Sequence, residues 1–310
     1  MGRDDLQQTP DLPPEITDSG LNGDLVIFVG AGISQLAGLP SWSDLAERIL
    51  FSLQQENALN FSEIEQMRTL DPRKKLSIAS LLSSKPLYYY IRKHLVPNNN
   101  ISEVYRYLNR IGCAYITTNY DELLVPQSTV YSDNKNSPAS VKRIIGSDRF
   151  YASHLNTPGT VIHLHGSAFV PSSLVVTTKE YLEYYDKEEV KHLLRELFAK
   201  KTVLFVGYGL EEAEILEHIL RRGDAGKTRK ATPKLFVLQG FFSEQKPLYT
   251  KLIYYYDQSF GVYLIGYNRD FKNYQQQEDI IKMWSEKIVV HPPSSEEDLS
   301  FMDEVLNAQP

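Results

Sequence analysis

The chain of 310 residues alternates between short, continuous apolar runs and longer stretches in which apolar residues recur every three or four positions. A continuous run rich in β-branched residues is typical of a strand buried on both faces of a parallel sheet, whereas the longer period indicates a helix. Strand, helix and strand in regular succession predict an α/β protein with a doubly wound parallel sheet. The predicted strands cover residues 25–29, 113–118, 161–165, 174–176, 203–206, 235–238 and 262–265.

The stretch between the first two predicted strands has no strand pattern. Apolar side chains recur there at three-residue spacing, at Ile64, Met67, Leu70, Leu76, Ala79 and Leu82. This spacing predicts helices, and we expect a helical subdomain of about residues 58–110 inserted into the sheet domain. Further along the chain, helices are predicted over about residues 179–200 and 210–220.

Three segments outside this alternation are expected to be irregular or to serve assembly. Residues 1–23 show little periodicity and are predicted to form a flexible arm, and the polar residues 132–140 to form a loop. Residues 24–290 then make up the sheet domain. Residues 291–310 form an acidic tail in which Leu299, Met302 and Leu306 have helical spacing. This tail is expected either to dock on a neighbouring protomer or partner, or to fray as chain ends commonly do.

The first predicted strand leads into the sequence GAGIS, which contributes Gly30, Ala31, Gly32 and Ser34. Two glycines let the backbone turn sharply and bring its N–H groups close to a bound diphosphate, and a serine hydroxyl adds a donor. The alternative is a turn that only closes a strand-to-helix corner. Gln35 stands where the third glycine of a dinucleotide-binding fingerprint belongs, so the match to that fingerprint is incomplete.

The helix that follows begins well after this turn. Ser41 and Asp44 have the spacing of an N-terminal capping box, and Leu45, Ile49 and Leu53 continue at helical period. Roughly twelve residues therefore separate strand and helix, which is long for a simple turn. We expect this loop to fold over a ligand.

Two polar residues follow the second predicted strand, in the sequence TTNYD. Asn119 both donates and accepts hydrogen bonds, so it could hold a water molecule or a ligand amide. Asp121 lies two residues further on. The alternative for both residues is an Asx turn or a helix cap.

Two histidines lie two positions apart in the sequence HLHG, so both would point to one face of the strand. His165 precedes Gly166 at the carboxyl end, where a glycine leaves room for a ligand, and it is the side chain here suited to proton transfer near neutral pH. His163 is deeper and is expected to be a core histidine with satisfied hydrogen bonds. With no third ligand nearby in sequence, we expect no metal site.

The later strand ends repeat this arrangement. Gly207 and Gly209 flank Tyr208 at another strand-to-helix corner, which could hold the other end of an extended dinucleotide or be a plain tight turn. Gln239 ends the next strand and is expected to contact the adenosine ribose. In doubly wound sheets, ligands bind outside the carboxyl ends of the strands, and every one of these motifs falls at such an end.

Composition and charge restrict the protein class. No apolar run approaches the roughly 18 residues needed to span a membrane, and no secretion signal precedes the domain. The single cysteine, Cys113, excludes an internal disulfide and a zinc site built from cysteines. These features predict a cytoplasmic protein without membrane attachment. A net charge of −6 makes nucleic-acid binding through the whole surface unexpected.

Four motifs together resemble the sirtuin superfamily of NAD-consuming proteins: GAGIS, TTNYD, HLHGS and VGYG stand in the sirtuin order, within about residues 24–270. The resemblance implies a Rossmann-like sheet in which the glycine turn, with Ser34, binds the NAD⁺ diphosphate. It also implies that Asn119 and Asp121 lie at the nicotinamide ribose and that His165 is the base. Protein deacylases of the superfamily carry four zinc-binding cysteines after the histidine and glycine. This chain has neither those ligands nor room for them, so we expect no zinc.

The chain therefore looks similar to the zinc-free sirtuin-like domains of bacterial anti-phage systems, which destroy NAD⁺. This resemblance implies an NAD⁺ glycohydrolase (NADase, a hydrolase) that releases nicotinamide and ADP-ribose and works with a sensor such as a HerA-type ATPase. The C-terminal tail, if it docks on a neighbouring protomer, predicts a homo-oligomer. Two alternatives stay open. One is an NAD-dependent protein deacylase or ADP-ribosyltransferase, and the other is a catalytically silent subunit that binds NAD⁺ or ADP-ribose and regulates a partner.

Overall fold

A parallel sheet of seven strands forms the centre of the protein. The computed structural model describes residues 5–96, 102–126, 142–222 and 234–292, so the predicted loop at 132–140 and nearly all of the acidic tail lie outside the described residues. The strands are Leu25–Val29 (β1), Ala114–Thr117 (β2), Lys142–Ile145 (β3), Thr160–His163 (β4), Thr202–Val206 (β5), Leu235–Phe241 (β6) and Val262–Asn268 (β7). Their order across the sheet is β3-β4-β2-β1-β5-β6-β7, with every neighbouring pair parallel.

Twelve α-helices lie in the described part of the chain. They are Pro14–Leu21 (α1), Ala31–Leu36 (α2), Trp42–Gln55 (α3), Phe61–Met67 (α4), Pro72–Leu82 (α5), Leu87–His94 (α6), Val104–Ile111 (α7), Thr178–Tyr185 (α8), Glu188–Lys200 (α9), Ala213–Arg222 (α10), Lys246–Phe260 (α11) and Gln276–Lys287 (α12). Among these helices, none is both long enough and apolar enough to cross a membrane. The predicted doubly wound α/β fold is confirmed.

The central strand β1 shows how the sheet is covered on both faces. Successive side chains of a strand point to opposite faces. Val26 and Phe28 pack into the core beneath α8 to α11, whereas Ile27 and Val29 pack into a second core beneath α1, α2, α7 and α12. All five residues of β1 are buried, which explains why this strand reads as an unbroken apolar run.

The helical subdomain has an apolar core of its own. Leu45, Ile49, Leu76 and Ile91 are among its buried residues, which come mainly from α3, α5 and α6. The sequence predicts a subdomain of about residues 58–110, but this core already begins in α3. At the other end, α7 packs against α12 and the sheet instead. We call α3 to α6 the helical block.

The segment after β1 is partly helical. The sequence predicts a loop from Gly30 to the capping box, whereas α2 begins directly at the turn with Gly30 as its N-cap residue. The predicted capping box is present at the start of α3: Asp44 N donates to Ser41 Oγ (3.0 Å) and Ser41 N donates to Asp44 Oδ2 (3.2 Å). Only the few residues between α2 and α3 therefore remain as a connection.

The N-terminal segment differs from the flexible arm that the sequence predicts. Residues 14–21 form α1, whose Ile16 is completely buried. Gly20 lies so close to the C-terminal segment that a Cβ there would be 2.6 Å from Val289 O, and its carbonyl accepts a hydrogen bond from His291 N. Because one isoleucine and small residues make these contacts, the helix leaves no hydrophobic period in the sequence.

One strand of the sheet was not predicted, and one predicted strand is absent from the described residues. β3 is an edge strand of sequence KRII, and its two leading charges hid it from a search for apolar runs. Residues 174–176 are apolar but do not form a strand. Val175 N donates to His165 O, and Val176 N donates to the carboxylate of Glu180, so their backbone groups are used by a turn and a side chain.

The helix predicted over residues 179–200 is two helices. α8 ends at Tyr185, and Lys187 then adopts an extended conformation (φ −66°, ψ 135°) before α9 begins. The break lets α8 direct its tyrosines toward the end of β4 while α9 packs along the sheet.

Candidate active site

A cavity of about 830 Å³ opens at the carboxyl ends of the central strands, between the sheet and the helical block. Nine of the ten residues predicted to form the site line it: Ala31, Gly32, Ser34, Asn119, Asp121, His165, Gly207, Gly209 and Gln239. The tenth, Gly30, lies behind the lining. The residues chosen from the sequence therefore come together at one cavity, and their functional roles stay predictions.

The two glycine turns pack directly against each other. A Cβ at Gly30 would lie 2.5 Å from Gly207 O, and one at Gly32 would lie 2.9 Å from Gly207 Cα. Gly30 N donates to Val206 O (2.9 Å) and Gly32 N donates to Gly207 O (2.8 Å). These two amides are therefore already hydrogen-bonded within the protein, and a diphosphate would need other donors. The turns form the tight corner that the sequence allowed, and they also border the cavity. Binding of a diphosphate there stays a prediction.

Asn119 is held rigidly at the end of β2. Its backbone N donates to Thr117 Oγ1 (3.0 Å), and its side-chain Nδ2 donates to Gly30 O (3.0 Å). Its Oδ1 is buried and has no hydrogen-bond partner in the described part of the chain. An unpaired buried carbonyl oxygen is costly, so this atom is available to a ligand or a water molecule in the cavity.

Asp121 and Ser34 are tied to each other. Ser34 Oγ donates to Asp121 Oδ2 (2.7 Å), and Tyr105 OH, brought in by α7, lies 3.0 Å from Ser34 Oγ. The other carboxylate oxygen of Asp121 accepts from Leu123 N (3.1 Å), which is the Asx turn that the sequence allowed. This network fixes the wall of the cavity beside Asn119.

His165 is enclosed by tyrosines. It lies in the turn after β4, which ends at His163, and only 1 % of its surface is exposed. Its Nδ1 is 3.1 Å from Tyr181 OH, and its Nε2 is 2.7 Å from Tyr185 OH. Burial, together with the charge of Arg73, lowers the pKa of His165 to about 3. The imidazole is therefore neutral at physiological pH, with one nitrogen able to donate and the other able to accept a proton.

Glu212, at the start of α10, is a site residue that the sequence reasoning missed. Its Oε2 lies 3.7 Å from His165 Nε2 and 3.5 Å from Tyr185 OH. Its side chain is 22 % exposed, toward the cavity, and burial raises its pKa to about 7 despite the nearby charge of Arg73. The available signal was the pair of glutamates directly after the second glycine turn.

Arg73 was also missed, because it comes from the helical block. It is the only lysine or arginine in the cavity lining within the described residues. Its guanidinium is 2.7 Å from Glu214 on α10 and stacks over the Tyr181 ring at 3.8 Å. Arg73 therefore connects the helical block to the sheet domain across the cavity.

The far end of the cavity is lined by amides and aromatic rings. Gln239 lies within β6, and Gln277 lies on α12, beside Tyr267 and Tyr274. Gln239 Oε1 and Gln277 Nε2 are buried without hydrogen-bond partners among the described residues. One acceptor and one donor are thus left for a ligand at this end.

His163 and Cys113 lie outside the cavity lining. The sequence predicts that His163 is a satisfied core histidine. The histidine is indeed completely buried, but neither ring nitrogen has a hydrogen-bond partner within the part of the chain described, and burial lowers its pKa. Cys113 is buried and unpaired, and the described residues contain no group of three or more histidine, cysteine or acidic side chains that could hold a metal.

Comparisons with known proteins find a likeness to one family. Residues 113–263 match the SIR2-like domain. The chain is 26 % identical over 212 residues to Defense-associated sirtuin 2 of Bacillus subtilis, covering 65 % of this chain and 19 % of that protein. It is 27 % identical over 202 residues to the NAD(+) hydrolase ThsA of Cytobacillus dafuensis, and 26 % identical over 225 residues to ThsA of Bacillus cereus (strain MSX-D12).

The matches to the two ThsA proteins cover 63 % and 67 % of this chain, and 37 % and 41 % of the relatives. The aligned part thus spans less than half the length of all three relatives. The matched segment contains Asn119, His165, Glu212 and Gln239, together with β2 to β6 of the sheet. Residues 113–263 are therefore similar to a SIR2-like, or sirtuin-like, domain.

Proposed function

We propose that this protein is an NAD⁺ glycohydrolase that cleaves NAD⁺ into nicotinamide and ADP-ribose. The observation that carries the proposal is the meeting of Asn119 and His165, from the ends of the neighbouring strands β2 and β4, in one cavity. The cavity volume of about 830 Å³ lies within the range of small-molecule sites. Relatives named NAD(+) hydrolase add support from family likeness.

Cleavage of NAD⁺ requires that the nicotinamide ribose and the attacking water be positioned and that one group accept a proton. The bond between nicotinamide and ribose breaks with its electron pair moving to a leaving group that departs as neutral nicotinamide, through an oxocarbenium-like state. Asn119 Oδ1, which has no partner among the described residues, can accept a hydrogen bond from a ribose hydroxyl or from the attacking water. His165 would take up the proton through the hydroxyl of Tyr181, which lines the cavity.

The two ends of the cavity suit the two ends of the dinucleotide. Gln239 Oε1 and Gln277 Nε2 offer an acceptor and a donor to the adenosine, and Tyr274 offers a ring for contact. Arg73 and Ala31 both line the cavity and would face the diphosphate. With this arrangement, the nicotinamide ribose would lie between Asn119 and His165.

The test is nicotinamide release from NAD⁺ by the purified protein. We expect Asn119→Ala and His165→Ala each to lower the rate by about 10²–10⁴-fold, the usual contribution of a well-placed acid–base group. His192→Ala, on the exposed face of α9, is the matched histidine control and should keep the wild-type rate. Near-normal release by both site variants would refute the assignment.

A second candidate is a module that binds NAD⁺ or ADP-ribose without cleaving it. The observation in its favour is that His165 is 1 % exposed and both of its ring nitrogens contact tyrosine hydroxyls. The same assay distinguishes the two functions if binding is measured by calorimetry in parallel. Tight binding with no nicotinamide release, with or without candidate activators, would favour the binding module.

We further propose that the protein acts in the bacterial cytoplasm as an oligomeric effector of anti-phage defence, together with a sensor such as a HerA-type ATPase. The support is the likeness to a protein named Defense-associated sirtuin 2. The residues proposed for assembly are the acidic tail, 291–310. Deleting residues 292–310 should lower the mass measured by light scattering and reduce NAD⁺ cleavage. An unchanged mass with full activity would exclude a role for the tail.

A further inference from the structure

We propose that Glu212 is a positioning residue for His165, acting through Tyr185 to orient the imidazole and to receive the proton released during NAD⁺ cleavage. This inference rests on the proposed function and extends it to the path of the proton. Four polar groups carry it. In space they form a row of contacts that begins at the cavity, passes into its wall and returns to the cavity, in the order Tyr181, His165, Tyr185 and Glu212.

The distances form a continuous chain of contacts. Tyr181 OH is 3.1 Å from His165 Nδ1, and His165 Nε2 is 2.7 Å from Tyr185 OH. Tyr185 OH donates to Glu212 Oε2 at 3.5 Å. The tyrosines and the histidine are buried, and within the described residues the two tyrosine hydroxyls are the hydrogen-bonding partners of the His165 ring. His165 therefore reaches the cavity through its neighbours rather than through an exposed ring nitrogen.

The carboxylate of Glu212 fixes which group donates and which accepts in each of these hydrogen bonds. Ionised Glu212 can only accept, so the Tyr185 hydroxyl donates to it and its oxygen is left to accept from His165 Nε2–H. His165 Nδ1 is then the accepting nitrogen, and the Tyr181 hydroxyl donates to it. Without a carboxylate at position 212, Tyr185 can donate to Nε2 instead, and the imidazole is free to adopt the opposite tautomer.

Each proton in the step is accounted for. As water attacks C1′ of the ribose, a C–O bond forms, the bond to nicotinamide breaks and the electron pair leaves with neutral nicotinamide. The water proton passes to the Tyr181 oxygen, while the Tyr181 proton moves to His165 Nδ1. The Nε2 proton moves to Tyr185, and the Tyr185 proton moves to Glu212. Glu212 lines the cavity, so it can release this proton to solvent as ADP-ribose leaves.

The groups around Glu212 are consistent with this role. Arg73 from α5 faces it but is paired with Glu214, which lies in the first turn of α10, two residues after Glu212. Among the described residues, the other titratable groups that face it are His165 and four buried tyrosines, Tyr120, Tyr181, Tyr185 and Tyr208. Burial raises the pKa of Glu212 to about 7, so its carboxyl ionises within the working range of the enzyme. NAD⁺ cleavage should accordingly rise as pH increases through 7.

The experiment compares the wild type with Glu212→Gln, Tyr185→Phe and the double variant, measuring nicotinamide release between pH 5.5 and 8.5. We expect each single variant to lose about 10²-fold in rate. The double variant should lose no more, because both changes break the same chain. The rise of activity through pH 7 should disappear in Glu212→Gln. Glu217→Gln, on the same helix and paired with Arg221 at the surface, should match the wild type.

Two activity results would overturn the proposal: a Glu212→Gln variant with the wild-type rate and pH profile, or losses that multiply in the double variant. A second measurement does not depend on cleavage. The ¹⁵N spectrum of protein labelled in histidine, with His165 assigned by its absence in His165→Ala, should show the Nε2–H tautomer in the wild type and lose it in Glu212→Gln. An Nδ1–H tautomer in the wild type refutes the proposed role of Glu212. If the wild type has the expected tautomer but does not cleave NAD⁺, only the proposed function is refuted.

Discussion

At the scale of single residues, the site contains two buried groups whose pKa values are shifted in opposite directions, His165 downward and Glu212 upward. The pKa of His165 falls from 6.5 to about 3, because the folded protein resists charging the imidazole. The pKa of Glu212 rises from 4.5 to about 7, because the folded protein resists charging the carboxyl. Both neutral forms are thus favoured by the fold, and the protein loses stability whenever the pH favours either charge in the unfolded chain.

The signs of these two effects predict a stability measurement. The unfolded chain binds the extra proton at His165 below pH 6.5, so stability falls as pH drops from 6.5 toward 3. The folded state binds the extra proton at Glu212 between pH 4.5 and 7, so stability falls as pH rises across that window. Glu212→Gln removes the second effect. We expect this variant to be more stable than the wild type at pH 8 by about 1–3 kcal/mol in urea unfolding.

The same substitution is expected to slow NAD⁺ cleavage, so the variant should be more stable and less active. Glu217→Gln again serves as the control and should leave the free energy of unfolding within about 0.5 kcal/mol of the wild type. Equal unfolding midpoints for the wild type and Glu212→Gln at pH 8 would mean that ionisation of the Glu212 carboxyl does not lower the stability of the folded protein.

At the scale of elements, the site depends on how two strand-to-helix turns meet. The turn after β1 and the turn after β5 are in backbone contact, since Gly32 N donates to Gly207 O and a Cβ on Gly32 would approach Gly207 Cα to 2.9 Å. Gly207 has φ +61°, a conformation that suits glycine. The close approach of the turns keeps Asn119, which donates to Gly30 O, in place beside them.

Gly32→Ala is therefore expected to push the two turns apart. The added methyl group meets backbone rather than a flexible side chain, so we expect a loss of about 1–3 kcal/mol in the free energy of unfolding. Gly209→Ala is the matched control, because a Cβ there would lie 3.3 Å from the movable carboxylate of Glu211. Thermal or urea unfolding compares the two variants. A Gly32→Ala protein as stable as Gly209→Ala would show that the turns can separate freely.

At the scale of the whole molecule, the two ends of the described chain close the fold against each other. Asn268 N on β7 donates to Gln7 O (2.8 Å), and Trp284 Nε1 on α12 donates to Pro10 O (3.2 Å). α1 then packs beneath β1 and β5, with Ile16 in the core. The N-terminal segment is thus part of the structure that supports the sheet.

This integration predicts a clear difference between two positions on α1. Ile16→Ala should cost about 2–5 kcal/mol in the free energy of unfolding, because it leaves a cavity in the core. Leu21→Ala, on the same helix, removes a side chain that is 42 % exposed and should cost much less. Urea denaturation measures both. Equal and small effects at the two positions would restore the flexible arm that the sequence predicts.

Much of the fold follows from the sequence, and the limits of prediction have physical causes. Six of the seven strands are buried apolar runs and could be identified, whereas β3 is at the edge and begins with Lys142 and Arg143. Asn119 and His165 stand next to their strands, so their convergence could be expected. Arg73 could not be assigned in the same way, because only the packing of the helical block against the sheet brings it to the cavity. Glu212 comes shortly after the second glycine turn, so its place at a strand end could have been noticed.

The cavity lies between the sheet and the helical block, and this position has a consequence for motion. The apolar core of the helical block also takes in Tyr120, Ala168 and Val176 of the sheet domain, so opening of the block breaks these contacts but leaves the strands folded. A dinucleotide that touches Trp42 or Arg73 on one side and Asn119 on the other must leave before the block opens. Bound ligand should therefore slow amide hydrogen exchange in α5 and α6 by up to a factor of 1 + [ligand]/Kd, while local exchange in α9 is unchanged. Bound substrate would then add to the contacts, such as that of Arg73 with Glu214, that already join the helical block to the sheet domain.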